Sequence, residues 1–259
     1  MKKILLLGDM HIGSLYAPWP EKFRAGDHLY GQVSESNRKL YKYWRSMIPK
    51  VKDVDAIIFN GDICDGVQGK SAGLGTVTTD LRVQIGACAE MIGGLPNVPK
   101  YFTKGTPYHS EQNRPLDESV CIEVDGTYGP ELVVEECGIR LHCQHHLSTT
   151  QSIWIYEPTG LARDMMLVAI QNEADKYGDV DFLVRSHRHR FVGVMFATSM
   201  GVCTPGWQSK TIYAVDKGLL SLPSIGWVVI RVHDDHISVD RSGIAHVVRP
   251  CKVVGRDKK

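Results

Sequence analysis

Apolar residues in the first part of the chain come in short unbroken runs, each closed by glycine and polar residues. Ile4–Leu7 and Asp55–Asn60 read as strands buried on both faces, because an unbroken run leaves no solvent side. Between them, from Ser34 or Ser36 onward, Leu40, Trp44, Met47, Ile48 and Val51 recur at helical spacing, with a serine to cap the start and Pro49 near the end. Residues Thr79 to Ile92 predict a second helix that stops at Gly93-Gly94, and Val98–Thr103 a third strand before the turn Gly105-Thr106-Pro107. Strand, helix, strand, helix, strand is the pattern of a parallel sheet with crossover helices. Functional residues in such sheets sit beyond the carboxyl ends of the strands.

The second part is richer in strands. Glu131–Glu135 and Ile139–Gln144 predict a hairpin across Cys137-Gly138. Pro158 to Tyr177 predicts a helix with Leu161, Met165, Val168, Ala169 and Asn172 on one side. Further strands are expected at Asp181–Arg185, Phe191–Ala197, Lys210–Val215, Gly226–Val232 and His236–Arg241, ahead of a solvated charged tail, Arg256–Lys259. No repeat, low-complexity tract or long linker divides the chain, so residues 1–259 are expected to form a single domain.

Chemistry gathers where the apolar runs end. Gly8-Asp9-Met10-His11 follows the first run and Gly61-Asp62-Ile63-Cys64-Asp65 the second; His145-His146 and Ser186-His187-Arg188-His189 follow two later strands. A Gly-Asp after a strand is by itself an ordinary turn. Four such segments in one chain instead present carboxylates and imidazoles together, a donor set that suits borderline or hard divalent ions. Asp9-x-His11 and His187-x-His189 are expected on extended backbone, where residues two apart share a face, so that one histidine of the later pair can serve each ion. Cys137, His142, Cys143 and His145 are spaced too tightly for a zinc finger, and Gly69-Lys70-Ser71 lacks the upstream glycine of a phosphate loop. Gly66–Gly75 reads as a loop able to contact substrate, while Trp207, Tyr213 and Trp227 are expected in the core.

Taken in order, these blocks resemble the calcineurin-like metallophosphoesterase superfamily, whose motifs run Asp-x-His, Gly-Asp-x-x-Asp, Gly-Asn-His, a lone His and Gly-His-x-His. The resemblance runs from Asp9 to His189. It implies an α/β (α+β) fold, a four-layer sandwich of two mixed β-sheets flanked by helices. It also implies two divalent metal ions, manganese first, with zinc, iron or nickel as alternatives. Asp9, His11, Asp62 and His189 would hold one ion; Asp62, His187 and His145 or His146 would hold the other, with His145 favoured. The third block departs from the family: Gly105-Thr106-Pro107-Tyr108-His109 stands where Gly-Asn-His is usual. His109 is then the candidate acid for the leaving group or a replacement ligand, with Thr106 a weaker oxygen donor in the place of the asparagine and Asn113 a distant candidate. Gly66 after Asp65, where the phosphoprotein phosphatase branch carries arginine, places the resemblance nearer the phosphodiesterase and nuclease branch, including bacteriophage-encoded members.

The implied reaction is hydrolysis of a phosphodiester, DNA or a nucleotide, by metal-activated water. His109 and the bridging Asp62 are the catalytic candidates, and Arg188 and Arg190 the phosphate contacts. The alternatives are a phosphomonoesterase acting on nucleotides or small phosphate esters, and a catalytically inactive metal-binding interaction protein. Composition narrows little further: a net charge of +1, with 43% hydrophobic and 23% charged residues, describes an ordinary globular chain without a global pull on nucleic acid. Seven cysteines without a framework spacing, an opening apolar run too short for a signal peptide and no membrane-length segment point to a reducing, cytoplasmic setting with no membrane partner.

Overall fold

The computed structural model describes residues 1–67, 73–107, 110–111, 114–148, 156–173, 177–211 and 222–246. In chain order the first part holds β1 (Lys2–Leu7), the hairpin β2 (Lys22–Ala25) and β3 (His28–Gly31), α1 (Glu35–Met47), β4 (Ala56–Phe59), α2 (Leu81–Gly93) and β5 (Lys100–Thr103). The two-residue strands β6 (Ser110–Glu111) and β7 (Arg114–Pro115) lead into α3 (Leu116–Glu123), β8 (Thr127–Gly129), β9 (Leu132–Glu136) and β10 (Ile139–Cys143). Then come, among the described residues, α4 (Glu157–Glu173), β11 (Phe182–Arg185), β12 (Val192–Met195), β13 (Met200–Cys203), β14 (Ser224–Gly226), β15 (Val228–Val232), β16 (Ile237–Asp240) and β17 (Ile244–His246).

Two mixed sheets form the centre. One has the order β16-β15-β1-β4-β5-β8, with β1, β4, β5 and β8 mutually parallel; the other has the order β12-β13-β11-β10-β9, with β10, β11 and β13 parallel. Side-chain alternation along the strands sets the layers. Leu5, Leu7, Ile57 and Phe59 face a core filled by Leu40, Trp44 and Met47 of α1, Ala87 and Met91 of α2, and Val120 of α3. Their neighbours Ile4, Leu6, Ala56 and Ile58 point the other way, onto Leu141, Cys143, Phe182, Val184 and Val202 of the second sheet. On the far side of that sheet, Leu183 packs under Leu161, Met165 and Val168 of α4. Helices, sheet, sheet, helix is the four-layer order that the family resemblance implied.

Local signals explain several boundaries. Asn37 N donates to the Ser34 side chain at 2.9 Å and the Asn37 side chain returns a bond to Ser34 N, a capping box that starts α1. Asp80 caps α2 by accepting from Arg82 N and Val83 N, so this helix opens two residues later than expected. The strand expected over Gly226–Val232 is broken: Gly226, at φ +136°, turns the chain so that β14 pairs with β17 and β15 pairs with β1. Lys210 and Thr211 are not in a strand, and the rest of the strand expected at Lys210–Val215 lies outside the described residues, as does Tyr213. Trp207 and Trp227 are core residues, stacked with ring centroids 6.2 Å apart.

Candidate metal centre

The candidate ligands among the described residues leave the carboxyl ends of parallel strands, where the two sheets meet. Asp9 and His11 follow β1, Asp62 follows β4, His145 and His146 follow β10, and His187 and His189 follow β11. The loops stay in register after the strands stop. Asp9 N donates to Gly61 O at 3.0 Å and His11 N to Asp62 O at 2.9 Å, while across the other sheet Ser186 N donates to His145 O at 2.9 Å.

Extended alternation is not what makes the pairs converge, contrary to expectation. Asp9, His11, Asp62, His187 and His189 all have left-handed backbone, with φ of 48°, 47°, 54°, 71° and 53°. Such residues cost on the order of 1 kcal/mol each and persist where surrounding bonds hold them. Here the left-handed turns swing alternate side chains into one space. Gly61 is required at the same place: at φ +78°, a Cβ on it would lie 2.5 Å from His145 Nδ1.

Three overlapping groups of donor atoms result, each with its atoms within 4.8 Å of one another: Asp9, His11 and His189; Asp9, Asp62 and His145; and His145, His146 and His187. His145 Nδ1 donates to Asn60 O at 2.7 Å, which leaves Nε2 aimed inward, 3.0 Å from Asp62 Oδ2 and 3.8 Å from Asp9 Oδ1. His11 is turned by Asp65, whose Oδ1 lies 3.2 Å from Nδ1, so its Nε2 faces His189 Nε2 at 3.2 Å. Asp9 Oδ2 accepts from His187 N at 2.9 Å, whereas Asp9 Oδ1, fully buried, has no hydrogen-bond partner. A buried carboxylate oxygen without a donor, beside inward-facing imidazole nitrogens, is a site that fits a cation.

The electrostatics agree. Burial disfavours a charged His145, but the Asp62 and Asp9 carboxylates outweigh it and hold the imidazolium up to about 10. Burial, reinforced by the neighbouring His145, pushes His187 down to about 4, and burial likewise lowers His189 to about 4. Burial, with the charge of His145, also lowers His146. The cluster is thus two carboxylates faced by His187 and His189, which burial keeps neutral, with a proton on His145 offsetting part of the charge.

Two residues that hold the site, Asp117 and Asn60, carried no role in the sequence reading. Asp117, at the start of α3, accepts from Gly105 N at 2.8 Å, Ile63 N at 2.9 Å and Asp62 N at 3.3 Å, clamping the loop after β4 to the loop after β5. Burial and the nearby Asp62 charge raise its carboxyl to about 6. Asn60 joins the sheets: its Nδ2 donates to Ser186 Oγ at 2.7 Å and to Gln144 O at 3.1 Å, and its Oδ1 accepts from Thr103 Oγ1 at 2.9 Å. Thr106 reaches Asp62 with both its N–H, at 2.6 Å, and its hydroxyl, at 2.8 Å. Only the Asp of a Gly-Asp-x-x-Asp block gave a local hint of such roles, in Asp65.

The two arginines part company. Arg190 is paired with Glu157, donating from Nε at 3.0 Å, whereas Arg188 Nε is buried with no hydrogen-bond partner. His109, like Lys70 in the Gly66–Gly75 loop, lies outside the described residues. Among the described residues, no cysteine falls in a group able to hold a metal.

Neither a family model nor a curated protein matches the sequence. Solved structures of similar arrangement include wild-type Vps29 complexed with zinc from Entamoeba histolytica (11% identity, TM-score 0.47, covering 94% of this chain and 96% of that one). An archaeal phosphodiesterase is similar at 13% identity and a TM-score of 0.48, over 94% and 99% of the two chains. A predicted phosphoesterase from Streptococcus pneumoniae TIGR4 is similar at 10% identity and a TM-score of 0.44, over 96% and 98%. Proteins described as phosphoesterases are thus among the structures of similar arrangement.

Proposed function

We propose that this chain is a phosphoesterase that works with two divalent ions and hydrolyses phosphodiesters, with DNA or a nucleotide as the substrate class. The observation that carries the reading is the partnerless Asp9 Oδ1, 3.4 Å from His189 Nε2 and 3.8 Å from His145 Nε2. Asp9, His11, Asp62 and His189 would hold one ion, and Asp62, His187 and His145 the other, with His146 beside them. Bound divalent ions supply Lewis acidity toward a phosphoryl oxygen and a hydroxide nucleophile near neutral pH.

The chain's own residues do the rest. Asp65 and the Asn60 carbonyl fix the tautomers of His11 and His145, so both present Nε2 inward. The Arg188 guanidinium, beside His146 and His187, supplies positive charge to a phosphate oxygen. Because Arg190 is committed to Glu157, that wall offers, among the described residues, the Arg188 cation, which matches the single charge of a diester better than the double charge of a monoester. His109 is assigned the leaving-group proton from its place in the sequence.

The test is purified protein with Mn²⁺ offered bis-p-nitrophenyl phosphate, p-nitrophenyl phosphate, and single- and double-stranded DNA. Turnover of the diester well above the monoester is expected. Preferred monoester turnover would replace the substrate class, and two bound ions with no turnover on any substrate would leave a metal-binding interaction protein.

A further inference from the structure

Four cations against one carboxylate give α1 a net charge of +3, in a chain whose total is +1. That carboxylate, Glu35, is taken by Lys39 at 2.7 Å. Arg38, Lys42 and Arg45 remain, all exposed and without an ion pair among the described residues. Spaced by four and then three residues, they share one face of the helix, opposite the face through which Leu40, Trp44 and Met47 enter the core. Lys50 and Lys52, also exposed, extend the positive surface past the helix end, where Asp53 and Asp55 are held by Lys3 and Lys2. Helix stability does not account for the stripe. Arg45 complements the helix dipole at the C-terminal end, but Arg38 stands toward the other end, where the dipole gives a cation no benefit.

The stripe begins at the rim of the candidate metal centre. Asn37, next to Arg38 and fully buried, donates from Nδ2 to Ser14 O at 3.0 Å and to Ala17 O at 2.7 Å. Ser14 N in turn donates to His11 O at 3.0 Å. The segment leaving His11 thus anchors the first turn of α1. From there the cations lead away for roughly 10 Å between Arg38 and Arg45, at the ordinary helical rise. That length covers about three nucleotide steps of one DNA strand. Tyr41, Tyr43 and Trp44 pack against the core, so α1 offers bases no aromatic platform of the kind that single-strand binding uses.

We infer that the α1 stripe of Arg38, Lys42 and Arg45 is a docking surface for the phosphate backbone of duplex DNA flanking the scissile diester, a role that rests on the DNA reading above. It raises affinity for long substrates, whereas a small diester that fills only the centre does not reach it.

The test removes the charge and reads salt dependence in the full chain. Arg38→Gln/Lys42→Gln/Arg45→Gln is compared with the wild type for binding of a fluorescent duplex of about 20 base pairs, in EDTA so that no cleavage intervenes, from about 50 to 200 mM KCl. The logarithm of the wild-type association constant should fall steeply with the logarithm of salt concentration. The triple variant should lose about 2–3 from that slope and bind at least ~10-fold more weakly at about 100 mM. Turnover of bis-p-nitrophenyl phosphate with Mn²⁺ should be the same for both. Arg38→Lys/Arg45→Lys should bind duplex as the wild type does, which separates lost charge from lost fold. An unchanged slope in the triple variant overturns the docking surface and leaves the phosphodiester reaction standing. Tighter binding of single-stranded than of duplex DNA also overturns it, as does a triple variant that loses affinity for phosphatidylserine vesicles but not for duplex. A wild type that binds no duplex overturns the DNA substrate class as well.

Discussion

The two sheets bring different chemistry to their shared edge. The sheet built on β1, β4 and β5 supplies the anionic oxygens, Asp9 and Asp62, together with the Thr106 hydroxyl; the sheet built on β10 and β11 supplies His145, His146, His187 and His189. They are also braced differently. The carboxylate wall is held by hydrogen bonds onto Asp117, whose carboxyl burial raises to about 6. The imidazole wall is braced from behind by an ion pair: Arg185 Nε donates to Asp164 Oδ2 at 2.9 Å and its Nη1 faces His142 Nδ1 at 3.1 Å. Anionic oxygen on one side and imidazole nitrogen on the other make a site that neither sheet forms alone, and among the described residues His11 is the imidazole on the carboxylate side.

The sharpest way to break this division of labour is to discharge the carboxylate wall. Asp62 touches the donors of both proposed ions, so Asp62→Asn should lower kcat/KM on bis-p-nitrophenyl phosphate on the order of 10⁴-fold, about 5.5 kcal/mol of transition-state stabilisation. Circular dichroism should show the fold intact, because the Thr106 bonds still have an oxygen to reach. His146→Ala, on the imidazole wall, should cost far less. Activity of Asp62→Asn within ~10-fold of wild type would mean that the anionic wall does not carry the chemistry.

Much of this arrangement was legible in the sequence, for identifiable reasons. Strands β1 and β4 are buried on both faces, so Ile4–Leu7 and Ala56–Phe59 stand out as unbroken apolar runs, and the polar residues directly after them mark the strand ends. The elements that escaped lack such contrast. The hairpin Lys22–Ala25 and His28–Gly31 is short and largely solvated, α3 spans only Leu116–Glu123, and Met200–Cys203 is a strand chiefly because β11 and β12 pair with it. The convergence of Asp9 with His11 and of His187 with His189 came from left-handed turns that spacing alone does not reveal. Asn60 and Asp117 were missed because their partners lie far away in the chain. Asp117 binds Ile63 N across 54 positions and Asn60 binds Ser186 across 126, so no local motif records them.

The bracing of the imidazole wall is the next point of attack. Arg185 is 2% exposed, and removing it leaves the buried Asp164 carboxylate without its cation. Arg185→Met should therefore cost about 3 kcal/mol in urea unfolding, since breaking a buried pair strands the surviving charge. Asp117→Asn, on the other wall, should cost nearer ~1 kcal/mol, because an amide oxygen still accepts from the backbone N–H groups and burial already disfavours the charge it removes. Equal losses would show that the two walls are braced alike, and a loss below ~1 kcal/mol for Arg185→Met would remove the ion pair from the account.

The mildest test reads the charge balance between the walls through pH. In the ion-free site the two carboxylates hold the His145 proton up to about 10, whereas burial keeps His187 and His189 neutral down to about 4. His11, despite its burial, is also raised, by Asp65 and the other carboxylates around it. A cation entering the site must displace such protons, because it needs the imidazole lone pairs. The sign follows: protons compete with the ion, so affinity falls as pH falls. Between pH 6 and 8, below the folded value for His145 and above those for His187 and His189, each unit of acidification should weaken Mn²⁺ binding at least ~10-fold per proton displaced, about 1.4 kcal/mol. Titration calorimetry in buffers of different ionisation enthalpy counts the protons released. At least one per chain is expected, and Asp62→Asn should reduce the number, because the charge that holds the proton on His145 is gone. Affinity independent of pH across that window would mean that the carboxylate wall does not charge its imidazole neighbour, and the contrast between the two walls would reduce to geometry.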